Sequence, residues 1–382
     1  MSSLNRPGLA RLRGFLQRHI DERRIPGAVV AVALGGHVEL FEALGQRDPA
    51  SGAAMRSDDI FRIYSMTKPL VSLAALMLAE EGRLQLMDPV SRWLPEFAVQ
   101  QVAVEEGDAV RLEPVRRPAT VHDLLRHTAG LTYEFLGTNA VQRQYVQTRI
   151  GSRARSNAEF SKALAALPLA LQPGSAWEYS RATDVLGALL EVVAGQPLGQ
   201  LLRQRVLDPL GMKDTTFGVS DANWDRIAEP FAVDPESGEK VRLLNAREIP
   251  RFESGGGGLL STAADYVRFL QLMRNGGMLE GMRLVSRTTI EWMTSDHLDG
   301  VPIRGDLVLP GYGFGLGFSV RRYSGVAPQP GSPGQYLWSG LGGTSFFVDP
   351  AEDLFAMLMT QAPNQGAYYR NQFRPLVYAA LD

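Results

Sequence analysis

Ser65-Met66-Thr67-Lys68 sets a hydroxyl and an amine three positions apart at the head of an apolar stretch that carries Leu70, Leu73, Ala74, Met77 and Leu78. On a helix, positions three apart share a face, so the amine lies beside the hydroxyl. A helix N-terminus adds partial positive charge and unpaired backbone N–H groups, which suit the oxyanion of an acyl-transfer intermediate. Nucleophile, proton partner and one oxyanion donor, the Ser65 N–H, would come from a single turn. The pattern is short, and Ser237-Gly238-Glu239-Lys240 repeats it. That copy lies in the polar run from Asp234 to Glu239 with no helix behind it, and reads as a solvated turn.

A serine nucleophile needs a base, and the chain offers five histidines. His19 and His37 fall on an amphipathic helix and a hairpin, as surface residues. His122 sits inside a helix start, His297 in a polar loop, and His127 in Arg126-His127-Thr128-Ala129-Gly130-Leu131, where a loop-organising hydrogen bond is its expected role. No G-x-S-x-G element is present, which argues against a nucleophile elbow. The absence of cysteine excludes thiolate catalysis, disulfides, Cys-zinc sites and iron–sulfur clusters. Lys68 and a tyrosine remain. Tyr179, in Trp177-Glu178-Tyr179-Ser180, follows the turn Gln172-Pro173-Gly174-Ser175 and precedes a helix near Ala182, in a loop able to reach a cleft. A free phenol has a pKa of about 10, and a neighbouring ammonium, here Lys68, favours its phenolate.

A third element is Trp338-Ser339-Gly340-Leu341-Gly342-Gly343-Thr344, small residues leading into a strand, where backbone N–H groups can approach a bound carbonyl. Leu341 N–H is the candidate second oxyanion donor. The run Gly255 to Gly258 lacks the Gly-Lys-Ser/Thr that would make it a phosphate loop, and reads as close backbone packing at the cleft floor.

The elements that must position these groups alternate in kind along 382 residues, of which 45% are hydrophobic and 21% charged, ample for a large core. A net charge of -2 gives no long-range pull on nucleic acid. The N-terminal stretch reads as an amphipathic helix, not a signal peptide, and no apolar run reaches the ~18 residues of a spanning segment, so a cytoplasmic protein with no membrane partner is expected. Strands are expected over 27–34 and 37–41 around Gly35-Gly36, then a central helix from Ser65 to Glu81-Gly82. Residues 88–211 read as mostly helical, with capping boxes at Thr120 and Ser156. Strands return over 312–320, 344–348 and 354–360, before a closing helix over 370–381. This pattern predicts an α+β fold: residues 1–87 and 218–382 form a lobe with an antiparallel sheet flanked by the terminal helices, residues 88–217 an inserted helical lobe, and the active site lies in the cleft between them.

Ser65-Met66-Thr67-Lys68, Tyr179-Ser180-Arg181 and Trp338-Ser339-Gly340, in this order, resemble the motifs of the β-lactamase and penicillin-binding-protein superfamily, closest to its family VIII carboxylesterases. His127 to Leu131, Leu171 to Gly174, Gly256 to Thr262 and Gly313 to Gly317 are similar to that family too, and the resemblance covers nearly the whole chain. It implies a β-lactamase/transpeptidase-like fold in which Ser65 is the nucleophile, Lys68 its proton partner and Tyr179 the general base, with no metal or cofactor. Two departures bear on substrate. Arg181 stands where lactamases usually carry asparagine, and Trp338 where they carry lysine, so an uncharged small-molecule ester suits the cleft better than a β-lactam or peptide. Trp338, Ser339, Gly340 and Arg181 would line the site, and Phe135, Leu136 and Tyr145, in the loop from Tyr133 to Ile150, would form an apolar acyl or alcohol pocket. The rival readings are a β-lactamase, D-amino-acid peptidase or acyltransferase on the same scaffold, and a ligand-binding homologue without catalysis.

Overall fold

The computed structural model describes residues 3–107 and 109–382; Met1 and Ser2, counted in the first expected lobe, and Asp108 in the second lie outside the described residues. The elements used below are helices α1 (Arg6–Asp21), α2 (Thr67–Glu80), α3 (Ala182–Ala194), α4 (Ala263–Arg274) and α5 (Gly366–Tyr378). The strands are β1 (Gly27–Leu34), β2 (His37–Asp48), β3 (Ala53–Ala54), β4 (Tyr312–Phe314), β5 (Ser319–Arg321), β6 (Tyr336–Ser339), β7 (Ser345–Asp349) and β8 (Leu354–Met359).

These eight strands make one sheet in the order β4-β5-β6-β7-β8-β1-β2-β3, antiparallel throughout. Both ends of the chain build it, since β1 pairs with β8 from Val29↔Met359 to Leu34↔Leu354. The β1 sequence is apolar at every position and Gly27 to Ala33 are all buried, as expected of a strand covered on both faces. Gly35 and Gly36, both at positive φ, close the hairpin to β2. Helices α1 and α5 pack on each other and against β2 and β8 respectively, and α4 packs against β1 and β8.

Helix α2 is buried at every residue from Thr67 to Leu78 and packs on α3. Its apolar residues run all round the axis because it has neighbours on every side. It stops where Gly82 takes a left-handed φ of 70°.

Several expectations are revised. Residues 101–114, expected to be helical, form the hairpin Gln101–Glu106 and Ala109–Pro114, whose alternating Val102, Val104, Val110 and Leu112 carry the period of a strand. The single strand expected over 312–320 is two, broken around Gly317 at φ 102°, where a Cβ would come within 2.8 Å of Ser72 Oγ on α2. His19 is buried rather than on the surface, its Nδ1 2.8 Å from the Tyr369 hydroxyl, and so ties α1 to α5. Both expected capping boxes are formed, Thr120 with Asp123 and Ser156 with Glu159.

Because α2 carries Lys68 and continues directly from the turn that holds Ser65, a cavity in its middle loosens the site as well as the core. Leu73→Ala, at a position with no solvent exposure, is expected to cost about 2–5 kcal/mol. Urea denaturation followed by circular dichroism measures it through the drop in midpoint, with the slope unchanged.

Candidate active site

The nucleophile candidate, Ser65, lies two residues before the start of α2, in the 3-10 turn Tyr64–Met66. Its approach is fixed from two sides. Ile60–Arg62 pairs antiparallel with Leu260–Thr262, and Ile63 N–H donates to Leu259 O at 3.2 Å. Gly340, just after β6, lies so close that a Cβ there would sit 2.3 Å from Ile63 O. Tyr64 then takes φ 44°, a left-handed conformation that bulky residues avoid, and its hydroxyl accepts from Leu244 N–H at 2.8 Å.

Three groups meet at Ser65 and its neighbours. Lys68 Nζ donates to Ser65 Oγ at 3.3 Å, to the Tyr133 hydroxyl at 3.1 Å and to Gly256 O at 2.6 Å. The Tyr179 hydroxyl is bonded to Ser65 Oγ. The Lys68 amine also lies 4.4 Å from the centre of the Tyr179 ring. Lys68 has 0% exposure, and desolvation is the chief cause that brings its pKa down to about 7; the charge of Asp184 opposes the fall and that of Arg181 adds to it. The same dryness pushes the Tyr179 phenol above its ordinary range, with bonding to Ser65 and the polarity of Trp338 pulling the other way. The Trp338 indole N–H itself makes no bond of full geometry. Burial thus works against the expected phenolate and favours the neutral phenol of Tyr179, as it favours the uncharged amine of Lys68.

A polar chain underlies this arrangement. Arg181 bonds Glu134 through two nitrogens and Asp184 at 3.2 Å. Asp184 accepts from Gly256 N–H at 2.9 Å and from Ser254 Oγ at 2.5 Å, and Gly256 O accepts from Lys68. Arg181 borders the cleft, as expected of it, and with its charge met by two carboxylates it organises the floor. Gly255 to Gly258 provide the close backbone expected of them: a Cβ on Gly255 would stand 2.5 Å from Thr183 O.

The third element closes the other side. Trp338 is buried, its ring 5.3 Å from those of Tyr179 and Phe314. Ser339 Oγ accepts from Arg370 Nη1 at 2.6 Å, so a cation absent from the Trp338 position arrives from α5, a residue the sequence reading passed over. Leu341 is 63% exposed and borders the cleft. Among the described residues its N–H donates to nothing. Ser65 holds the second place of the 3-10 turn, where an N–H has no preceding helical carbonyl to reach.

The cleft is a cavity of about 250 Å³ walled by Tyr64, Tyr133, Phe135, Phe252 and Leu341 around Ser65. Phe135 is 61% exposed and stacks on Tyr133 with ring centres 4.7 Å apart. Tyr145 does not line the cleft: at 1% exposure it lies on the buried face of helix Ala140–Gln147, one turn from Val141. Tyr133 was missed, though it follows Gly130-Leu131-Thr132 by one residue; nothing in its local pattern marks a hydroxyl that reaches an amine on another element. His127 takes the organising role expected of it, Nδ1 3.0 Å from Ser180 Oγ. His122 and His297 bond each other at 2.9 Å. Ser237 is exposed in its turn.

A family model described as Beta-lactamase matches residues 12–379. Esterase EstB of Burkholderia gladioli is 36% identical over 383 residues, covering 94% of this chain and 91% of its own. Lovastatin esterase of Penicillium rubens is 31% identical over 274 residues, 69% of this chain and 68% of its own. Among solved structures, EstCE1, described as a hydrolase with promiscuous acyltransferase activity, superposes with a TM-score of 0.80 at 31% identity, covering 97% of this chain and 98% of its own.

Removing the Tyr133 hydroxyl deprives the Lys68 ammonium of one acceptor in a dry site, which disfavours the charged form. In Tyr133→Phe the acidic limb of the kcat/KM–pH profile is expected to move to lower pH by up to about one unit. A stopped-assay pH series on wild type and variant reads this directly.

Proposed function

We propose an ester-cleaving reaction for this chain, which belongs to the beta-lactamase family. It is an enzyme with hydrolase activity on the β-lactamase/transpeptidase-like α+β fold. Within the family we assign it to the family VIII carboxylesterases, acting in the cytoplasm on small carboxylic esters with short to medium acyl chains. No single described helix is long and apolar enough to cross a membrane.

The observation that carries the reading is the meeting of Ser65 Oγ, the Lys68 amine and the Tyr179 hydroxyl in one water-poor cleft. Neutral Lys68 takes the Ser65 proton, directly or through the Tyr179 hydroxyl, as Oγ attacks the ester carbonyl. The oxyanion rests on the N–H groups of Ser65 and Leu341. Collapse breaks the bond to the alcohol, which leaves with the proton held by Lys68 and Tyr179. Water repeats the sequence on the acyl-enzyme and frees the acid and Ser65. Acyl transfer to an alcohol is the second reading, supported by the apolar Phe135, Phe252 and Leu341, which favour an organic acceptor over water in the cleft. EstCE1 combines the two activities by its description.

Two outcomes are expected. Ser65→Ala loses turnover of p-nitrophenyl butyrate by about a thousandfold or more, and intact mass finds an acyl adduct on the wild type only; equal turnover in the variant would sink the assignment. The base form of Lys68 is the neutral amine, so kcat/KM falls about tenfold per unit as pH drops below the lysine's pKa, which is about 7, and levels off above it.

A further inference from the structure

We infer that this cleft takes an ester bearing a carboxylate at the end remote from the scissile bond, and that the Arg153 guanidinium receives that carboxylate. The inference rests on the esterase reading of the same cleft and specifies its substrate class, replacing the uncharged ester expected from Trp338 and Arg181 with an anionic one.

Arg153 borders the cavity that holds Ser65. Its backbone is fixed in the wall, because Arg153 O accepts from Arg251 N–H at 3.1 Å and Phe252 N–H at 3.3 Å. The guanidinium is only partly compensated. Its nearest carboxylate is Glu248, 3.9 Å from Nε and half exposed, while Nη2 donates to the Glu248 backbone carbonyl at 2.8 Å. Nε is buried with no partner, and among the described residues Nη1 donates to nothing. The two neighbouring arginines differ. Arg181, on the same cavity, is met by Glu134 and Asp184, and Arg62 is paired with Glu229 at 2.9 Å.

A guanidinium taken partly out of water needs acceptors for its fixed fork of donors, and a carboxylate fits that fork better than any neutral group. Burial holds the Arg153 pKa below its ordinary value, with Glu248 and Tyr64 opposing and Arg62 adding to the fall. An arriving anion relieves that cost. Tyr64, Phe135 and Phe252 give the wall apolar and aromatic surface, which suits a hydrocarbon spacer between the ester and the anion. Monoesters of short dicarboxylic acids and esters of hydroxy acids share this chemistry. They differ in whether the acyl or the alcohol part carries the charge.

The experiment compares two isosteric pairs. The acyl arm sets p-nitrophenyl hydrogen glutarate against its amide, p-nitrophenyl 4-carbamoylbutanoate; the alcohol arm sets 3-(4-butanoyloxyphenyl)propanoate against its amide. In wild type one anionic member at least is expected to exceed its neutral partner about tenfold or more in kcat/KM. In Arg153→Gln that ratio falls to near one, while Arg370→Gln, which removes the cation at Ser339, keeps it. The arm showing the effect identifies the charged part. Equal rates within both pairs, or a preference that survives Arg153→Gln, overturn the inference. Calorimetric titration of Ser65→Ala with monoethyl glutarate, with and without Arg153→Gln, gives a readout that needs no turnover. Absence of Ser65-dependent hydrolysis of any of these esters defeats the esterase reading alone; binding lost in the double variant still supports the Arg153 site, and no binding to Ser65→Ala counts against it.

Discussion

An amine sealed from water, and bonded to no carboxylate among the described residues, is the constraint on which the rest of this site depends. Lys68 has no exposure and pairs with two hydroxyls and one carbonyl. Any of the usual ways of making a buried lysine comfortable would spoil it as a base. A carboxylate in direct contact would hold it charged, and open water would return its pKa to about 10. Asp184 occupies the middle course: it is close enough to limit the fall, yet its own bonds go to Arg181, Ser254 and Gly256. Thus the Glu134–Arg181–Asp184 chain is less a set of ion pairs than a means of keeping one negative charge at a chosen remove.

The fold follows from the need to bring four distant segments to that amine. Tyr179 and Tyr133 come from the helical middle of the chain, Ser65 from the head of α2, and Trp338 to Leu341 from the far half of the sheet. No local sequence can hold such a site, so its precision depends on backbone contacts that admit no side chain. Gly340 against Ile63 O and Gly255 against Thr183 O are two of these. The left-handed Tyr64 is the local cost, of order 1–3 kcal/mol for such a conformation. The Tyr64 hydroxyl bond to Leu244 and the strand pairing before it keep the turn in place.

What was legible in the sequence divides along the same line. Ser65 and Lys68 were readable because their relation is helical and local, and the glycine-rich segments because small residues announce close approach. The sheet strands were readable from apolar runs between turn residues, and the capping boxes from a three-residue spacing. The hairpin of Gln101–Glu106 and Ala109–Pro114 is hard to see among helices although its alternation is plain, because each strand offers only six residues of a two-residue period between long helical signals. Tyr145 was assigned to a pocket by its chemistry when its spacing from Val141 already placed it on a buried helix face. His19, Tyr133, Arg370 and the Glu134 carboxylate that claims Arg181 belong to another class. Their roles arise from contacts between residues 31 to 350 positions apart, and no pattern within a short window can disclose them.

Tyr133 and Phe135 stand two residues apart on one irregular segment, their rings stacked. One faces the amine and the other faces whatever enters. Any displacement of this segment that widens the entrance also moves the hydroxyl bonded to Lys68, so access to the cleft and the acidity of the lysine cannot be adjusted one without the other.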